Sequence, residues 1–290
     1  MALAVGCVLT ACEKPVTFTE EELEAAKEAA KGEPTKKFTF TLKGDFSDDW
    51  KPVTRGYMEA DGKAMTDIWV LDYKDGSLAQ QRHLTQSDED WAAPTLNLAY
   101  GSHHVYFIAS RGSGTMLNTD AHIISFTKVL DTFYKDYAVD VVSTSNGNRA
   151  VTLDRVVTRL RLTFTDAISD DAATINFAPH TWYYSWNYVD GVPAGAATDQ
   201  VVTINIPTSE LGKTDVQANL FGFSTATEWQ TDIAINSRKA DNSVIGQATI
   251  SAAPFKANRI SEYSGPLFGS EGTLALSLST DWDTAYEGTW

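Results

Sequence analysis

The sequence has 290 residues, 38 acidic and 23 basic side chains, and a formal net charge of −15 at pH 7. This charge argues against a nucleic-acid partner, whose phosphates need a basic surface, and against electrostatic binding to anionic lipids. The length is sufficient for two domains of ordinary size. Both cysteines, Cys7 and Cys12, lie at the start of the chain. We therefore expect no disulfide, thiol nucleophile or cysteine metal site in the body.

The first twelve residues predict a lipoprotein signal. No charged residue occurs from Met1 to Cys12, and the run ends in Leu9-Thr10-Ala11-Cys12. A short apolar stretch that ends in small residues is typical of a secretory signal. A leucine three residues before a cysteine resembles the bacterial lipobox, where the cysteine is acylated and becomes the first residue. The run is shorter than the roughly 20 residues of a membrane-spanning helix. We expect residues 1–12 to be signal and lipidation site, with Cys12 carrying the only membrane anchor.

Residues 13–35 are predicted to form a helical spacer. Thr19 and Glu22 match a capping box, four alanines follow, and Gly32 and Pro34 end the helix. The apolar face of this helix is thin, so we expect a stalk and not a core element.

From residue 36 onward the hydrophobic period changes from helical to two. Phe38, Phe40 and Leu42 alternate with polar residues, which predicts a half-buried strand. Residues 95–100 and 104–110 are predicted to form a hairpin, and the spacing of apolar residues in 120–137 indicates a helix or a long loop with a helical turn. Further strands are predicted at 68–73, 151–165, 173–177, 182–189, 201–206, 216–223, 232–236, 244–251 and 273–279.

Many short strands separated by turn residues favour an all-β fold of antiparallel β-sandwiches. The sequence lacks a phosphate loop and a dinucleotide fingerprint. We place an N-terminal β-sandwich at 36–153 and a C-terminal β-sandwich at 154–290, with the boundary after a Ser/Asn/Gly-rich loop.

The order of several short motifs resembles the fimbrillin superfamily, the pilus subunits, tips and anchors that anaerobic Bacteroidales export as lipoproteins. The motifs are the lipobox and the segments Thr54-Arg55, Trp69-Val70-Leu71-Asp72-Tyr73, Val105-Tyr106-Phe107-Ile108, Arg155-Val156-Val157-Thr158-Arg159-Leu160 and Asn258-Arg259-Ile260-Ser261-Glu262-Tyr263-Ser264-Gly265-Pro266-Leu267-Phe268. The resemblance implies two tandem transthyretin-like sandwiches without catalytic activity or cofactor. It also implies a location at the outer-membrane surface, in the fimbria, with other pilus subunits or surface ligands as partners.

The resemblance also implies a fate for the N-terminal segment. Polymerising members of the superfamily lose it to an arginine-specific protease, and a strand from the next subunit fills the exposed groove. Arg55, the first arginine of the chain, is the candidate processing site. The alternative is an ordinary surface arginine. Cleavage at Arg55 would separate Cys12 from the body, so a lipid-retaining anchor and a cleaved stalk subunit are exclusive fates.

An aromatic row offers a second function. Trp182, Tyr184, Trp186 and Tyr188 occupy alternate positions and would share one face of a strand. Buried, the row would be sandwich core, which we favour; exposed, it would be a platform for stacking sugars. The alternative hypothesis is thus a glycan-binding surface lipoprotein of a nutrient-uptake system, with Trp182, Tyr184 and Trp186 in contact with the ligand.

The sequence gives little support for an enzyme. His103 and His104 are adjacent, so on a strand they point to opposite faces and do not share a metal ion easily. We read them as ordinary strand histidines. No Gly-x-Ser-x-Gly elbow is present, and no carboxylate pair stands out. A hydrolase whose carboxylates meet only in the fold is a third hypothesis, and we expect no metal or cofactor.

Overall fold

The computed structural model describes residues 33–44, 65–91 and 93–269, together with the backbone of 275–276. This part of the chain is all-β apart from one 3-10 turn at Thr208–Glu210. Its strands are β1 Thr35–Lys43, β2 Asp67–Lys74, β3 Ser77–Thr85, β4 Thr95–Ala99, β5 Gly101–Ser110, β6 Met116–Asn118, β7 Ile123–Ser125, β8 Thr132–Val141, β9 Asn148–Thr152, β10 Asp154–Arg155, β11 Val157–Phe164, β12 Ala172–Pro179, β13 Trp182–Asn187, β14 Val192–Ala197, β15 Val202–Asn205, β16 Val216–Phe223, β17 Trp229–Lys239, β18 Val244–Phe255, β19 Ile260–Gly265 and β20 Ala275–Leu276.

Two sheets enclose the first core. Sheet 1 has the order β4-β1-β9, and sheet 2 has the antiparallel order β10-β8-β5-β2-β3. Alternate residues of both sheets point inward, as the period of two requires. The buried first core comprises Phe38, Phe40, Met65, Ile68, Val70, Leu84, Leu96, Leu98, Val105, Phe107, Ala109, Phe133, Val141, Val151 and Leu153.

Two further sheets enclose the second core. Sheet 4 has the order β16-β11-β19-β20, with β11 and β19 parallel, and sheet 5 has the order β15-β12-β17-β18. Leu160, Leu162 and Phe164 of β11 face Ile233 and Ile235 of β17 in this core. The two pairs of sheets are consistent with the predicted β-sandwiches.

Sheet 3 joins the two halves of the chain. Its order is β14-β13-β7-β6, so it takes two strands from either side of residue 153. Between sheets 2, 3 and 4 lies a shared core of Trp69, Leu71, Tyr73, Tyr106, Ile108, Ile124, Phe126, Val129, Val156, Val157, Trp186, Tyr188, Phe221, Phe223 and Ile260. Residues of β2 alternate between the first core and the shared core, so sheet 2 is covered on both faces. The boundary at 153 stays a prediction, and the shared core joins sheets from both sides of it.

The structure differs from the sequence predictions at three places. Residues 95–110 form β4 and β5, but these strands belong to different sheets and are not a hairpin. Residues 120–137 contain β7 and the start of β8, because Ile124 and Phe133 point into two different cores and do not line one helical face. The predicted strand 151–165 is divided into β9, β10 and β11, which enter three different pairings.

Several predictions lie outside the described residues. These are the signal with Cys12, the helix of the spacer and the processing site at Arg55. In the part of the chain that is described, no helix has the length and apolar character needed to cross a membrane.

Candidate functional site

Strand β1 holds sheet 1 together. Its first half, Thr35–Thr39, pairs antiparallel with β4, and its second half, Thr39–Lys43, pairs in parallel with β9. Among the described strands, β4 and β9 belong to the sheet only through these two ladders. Without β1, the inward faces of two five-residue strands would lose their common neighbour. We call the position that β1 occupies between β4 and β9 the β1 slot.

The side chains of β1 fit the slot as the sequence predicts. Phe38 and Phe40 are completely buried, and the exposed positions of the strand carry Thr and Lys. The Phe40 ring lies 5.2 Å from the ring of Phe107 on sheet 2 and 5.9 Å from that of Tyr137. The Arg149 guanidinium of β9 stands 5.1 Å from the centre of the Phe38 ring. The slot therefore selects an extended segment with large apolar side chains at alternate positions.

Backbone contacts outside the ladders close the slot around β1. The amide of Thr39 donates to the carbonyl of Gly147 at 2.7 Å, and the amide of Phe40 donates to the carbonyl of Pro94 at 2.9 Å. A Cβ atom at position 147 would lie 2.3 Å from the carbonyl oxygen of Lys37. Only glycine permits this approach of the two backbones.

A buried polar pair fixes β4, one wall of the slot, to sheet 2. His103 Nδ1 lies 2.7 Å from Asp72 Oδ1, and His103 Nε2 lies 2.9 Å from the carbonyl oxygen of Ala99, the last residue of β4. A carbonyl only accepts, so Nε2 carries a proton and donates it. Burial raises the pKa of the Asp72 carboxyl, and the hydrogen bond with His103 opposes this shift. His104 points to the other face and is exposed, so the adjacent histidines are divided as predicted.

The role of this pair was not predicted from the sequence, which we read as two ordinary strand histidines. A signal was present. Asp72 interrupts the apolar run of β2 at a position that shares a face with Ile68 and Val70. An acidic residue on a buried face requires a partner.

We expect His103→Leu to lower the free energy of unfolding by about 2–3 kcal/mol at pH 7, since it removes two hydrogen bonds and leaves Asp72 buried without its imidazole. A carboxyl whose pKa is raised in the folded state stabilises at low pH and loses that contribution as the pH rises. Urea unfolding should therefore show the deficit of the variant widening from about pH 4 to pH 7. His104→Leu is the matched control, and equal effects of the two variants would contradict the assignment.

A second polar cluster fixes the start of β4. Asp90 accepts two hydrogen bonds from the Arg82 guanidinium, at 2.6 and 2.9 Å, and two from the amide and hydroxyl of Thr95, both at 3.0 Å. The Arg82 hydrogen bonds, followed by those from Thr95, hold the pKa of the Asp90 carboxyl well below its usual range. The cluster ties the loop before β4 to β3.

We expect Asp90→Asn to cost about 1–2 kcal/mol of stability at pH 7, because charge-assisted bonds are lost from a partly exposed site. A depressed pKa means that the carboxylate stabilises the fold above its usual pKa and ceases to do so as the pH falls through the lower folded value. Thermal unfolding between pH 7 and pH 2.5 should show the difference between wild type and variant closing in acid. Glu89→Gln, at an exposed neighbour, serves as the control and should show no such closing.

The aromatic row lies inside the protein. Trp182, Trp186 and Tyr188 have 0, 2 and 0% of their surface exposed, and Tyr188 follows the end of β13. Trp182 belongs to the second core and Trp186 to the shared core, while Tyr184 packs against both. The Trp182 indole donates to the carbonyl of Phe221 at 2.9 Å. Because the rings of Trp182 and Trp186 are covered by protein, neither offers a face to a sugar, and the stacking platform required by the glycan hypothesis is not formed.

Carboxylates and histidines do not assemble into a metal site in the described residues, where no group of three such side chains has suitable geometry. Two of the ion pairs in this part of the chain, Asp72 with His103 and Asp90 with Arg82, lie beside β4. Each pair also forms a hydrogen bond with the backbone of β4, at Ala99 and at Thr95.

Comparison with known proteins finds similarity among solved structures alone. No protein family model and no curated protein sequence matches it. The solved structures to which it is similar include proteins named as adhesins and as fimbrial proteins.

Three of these structures illustrate the similarity. A protein from Bacteroides ovatus assigned as an adhesin has a TM-score of 0.49 and 12% identity, over 86% of this chain and 96% of its own. A fimbrial assembly protein from Parabacteroides distasonis has a TM-score of 0.47 and 9% identity, over 84 and 96%. The tip fimbrial protein Mfa3 from Porphyromonas gingivalis has a TM-score of 0.45 and 10% identity, over 85 and 100%.

Proposed function

We propose that this protein is a non-enzymatic, fimbrillin-like lipoprotein of the cell surface that acts in adhesion or in pilus assembly or anchoring. Its contacts with other subunits would be made by exchange of a strand in the β1 slot. One observation carries the proposal: β1, the first strand described, pairs with both β4 and β9 and is the link between them in sheet 1.

The position of β1 in the sequence supports exchange. The strand ends at Lys43, before Arg55, and the rest of the described body begins at Met65. Cleavage after Arg55 would therefore cut the covalent link between β1 and every other described strand. An unpaired sheet edge beside an apolar groove is a template for another strand.

If β1 left its slot, burial of apolar side chains would favour the entry of another strand. Two fully buried phenylalanines contribute about 1.5–3 kcal/mol each through burial alone, in addition to the ladder hydrogen bonds. An empty slot would expose this apolar surface, so a segment of another subunit with apolar residues at the same alternate positions would bind in it. Lipid on Cys12 would keep an uncleaved copy at the outer membrane, as an anchor or a solitary adhesin.

Peptide exchange tests the proposal. The full chain is treated with an arginine-specific endoprotease, and N-terminal sequencing locates the new terminus. A fluorescent peptide spanning residues 34–44 is then added, and its incorporation is followed by size-exclusion chromatography. We expect a terminus at Gly56 and incorporation of the peptide only after cleavage.

The control peptide carries F38S and F40S and has the same length and charge. We expect it to compete at least tenfold less well, because two apolar anchors worth more than 1.4 kcal/mol in total are gone. Equal incorporation of both peptides, or none of the native peptide into cleaved protein, would refute strand exchange in the β1 slot. N-terminal sequencing and lipid analysis of protein from the cell surface would distinguish an acylated Cys12 from a processed subunit.

A further inference from the structure

The loop before β9 contains Asn146, the only asparagine in the sequence that precedes a glycine. In such a pair the main-chain nitrogen of the glycine can attack the side-chain amide carbon of the asparagine, since glycine has no Cβ to hinder the approach. Asn146 is exposed, so water and dissolved bases reach it. The carbonyl of Gly147 closes the β1 slot, 2.7 Å from the amide of Thr39. A reaction at this pair would therefore take place at the wall of the slot.

The amide nitrogen of Gly147 is available as the nucleophile. Within residues 33–44, 65–91 and 93–269 it donates no hydrogen bond. Arg149 Nη1 donates to the carbonyl of Asn146, which belongs to the same peptide group, and to the carbonyl of Asn148 at 3.0 Å. A positive charge bonded to the oxygen of a peptide group stabilises the anion that forms when its nitrogen loses a proton. Arg149 therefore makes the proton of the Gly147 amide easier to remove.

The side-chain carbonyl of Asn146 is polarised for the attack. Its Oδ1 accepts a hydrogen bond from the amide of Asn148 at 3.1 Å. This oxygen acquires negative charge when the carbon beside it is attacked, so the Asn148 amide stabilises the tetrahedral intermediate as the donors of an oxyanion hole do. The electrophile, the nucleophile and the oxyanion donor thus come from consecutive residues, and the promoting cation comes from the next one.

We propose that Asn146 and Gly147 form a self-modification site. The deprotonated nitrogen of Gly147 forms a bond to Asn146 Cγ, and the side-chain nitrogen takes up a proton and leaves as ammonia. The product is a cyclic succinimide. Water then opens the ring at either carbonyl carbon, which receives the hydroxyl group, and a proton returns to the Gly147 nitrogen. Position 146 becomes aspartate or isoaspartate, and in isoaspartate the main chain is longer by a methylene group.

The added methylene group would lie between two contacts that tie the loop to β1. Lys36 Nζ donates to the carbonyl of Ser143 at 2.8 Å, and the carbonyl of Gly147 accepts from Thr39. The backbone at Gly147 has no room to move towards β1, because even a Cβ atom there would lie 2.3 Å from the carbonyl oxygen of Lys37. The longer chain would therefore displace the Gly147 carbonyl from Thr39 and weaken the start of the β1–β9 ladder. Isoaspartate would loosen β1 in an intact chain, without proteolysis and without a second subunit.

Peptide mapping of aged protein tests the reaction. The full chain is kept folded in mildly alkaline water enriched in heavy oxygen, and each asparagine is followed by mass spectrometry. We expect isoaspartate and a heavy oxygen atom to appear at position 146, at least about tenfold faster than any change at Asn148 or Asn242. These two asparagines are also exposed but do not precede glycine. Asn146→Gln is the control and should stay unmodified, since its longer side chain would have to close a larger ring. Failure of Asn146 to react in the folded protein would overturn the proposal.

Arg149→Met tests the promoting charge, because methionine keeps an apolar stem beside Phe38 and removes the cation. We expect the rate at Asn146 to fall at least about threefold, as for loss of a hydrogen bond from a charged donor. An unchanged rate would overturn the assignment of Arg149 to the site.

Hydrogen exchange tests the consequence for the β1 slot. Modified protein is separated from unmodified protein by ion-exchange chromatography, since both products carry an added carboxylate. The amides of β1 should exchange about three- to tenfold faster in the isoaspartate form, while those of β18, in another sheet, stay unchanged. Equal exchange in β1 would overturn the link between the modification and the slot. Neither measurement uses protease or added peptide, so a failure of strand exchange would leave both results standing.

Discussion

Phe40→Ala should lower the free energy of unfolding by about 3–5 kcal/mol, the usual cost of removing a fully buried phenylalanine. The ring of Phe40 lies between those of Phe107 and Tyr137 and next to that of Phe38. These contacts connect β1 with β5 and β8 of sheet 2 across the first core, so little of the cavity can collapse. Chemical denaturation with urea, followed by tryptophan fluorescence, would measure the loss.

The control for this variant is Thr41→Ala, on the exposed face of the same strand. We expect a change within about 0.5 kcal/mol for the control, as for most surface substitutions. Phe40→Leu should fall between the two, because it keeps part of the apolar volume. A Phe40→Ala variant as stable as Thr41→Ala would show that β1 contributes little to the first core. Burial of Phe40 would then not explain why the β1 slot needs to be filled.

Strands in which apolar and polar residues alternate clearly could be predicted from the sequence. Pairings between strands that lie far apart in the chain could not. Phe38, Phe40 and Leu42 indicated β1 because one face of that strand is core and the other is solvent. The pairing of β1 with both β4 and β9 could not be inferred, since it brings residues 39–43 beside 148–152. Local periodicity contains no information on such a long-range parallel partner.

Sheet 3 contains strands that local periodicity could not predict at all. Its strands β6 and β7 have three residues each, too few to establish a period of two. Strand β7 pairs with β13, from the other half of the chain, and β6 pairs in turn with β7. Trp182, Tyr184 and Trp186 of the aromatic row lie on β13, and Tyr188 follows the end of that strand. Strand β13 passes from the second core into the shared core, and a periodicity argument cannot separate two cores along one face.

The glycan hypothesis requires that the rings of the aromatic row be exposed to solvent, and the amino-acid sequence of one strand does not determine this. Trp and Tyr side chains favour both protein cores and sugar-binding surfaces. The burial of both indoles follows from tertiary packing, of Trp182 against Phe255 and of Trp186 against Phe223. Cys12 and Arg55 remain predictions from sequence motifs, and they determine whether an individual copy would act as an anchor or as a processed subunit.

Trp186→Ala should lower the free energy of unfolding by about 3–5 kcal/mol and loosen both halves of the protein together. The indole of Trp186 packs 5.4 Å from the Tyr134 ring and 5.7 Å from the Phe223 ring. Tyr134 belongs to sheet 2 and Phe223 to sheet 4, so a cavity at position 186 removes neighbours from each. Hydrogen exchange should therefore become faster in β8 and in β16, although these strands lie on opposite sides of residue 153.

A conservative variant distinguishes loss of packing from loss of the polar group. Trp186 Nε1 is buried without a hydrogen-bond acceptor in the described part of the chain. Trp186→Phe removes this unsatisfied donor and keeps much of the ring, so it should cost less than about 1.5 kcal/mol and leave exchange in both strands near wild type. If Trp186→Ala accelerated exchange on one side of residue 153 alone, the two sandwiches would be energetically separate, and the shared core would be a contact surface between independent domains. Faster exchange on both sides would instead mean that sheet 2 and sheet 4 are energetically coupled through the shared core. A change in the occupancy of the β1 slot, which adjoins sheet 2, would then also affect the stability of sheet 4.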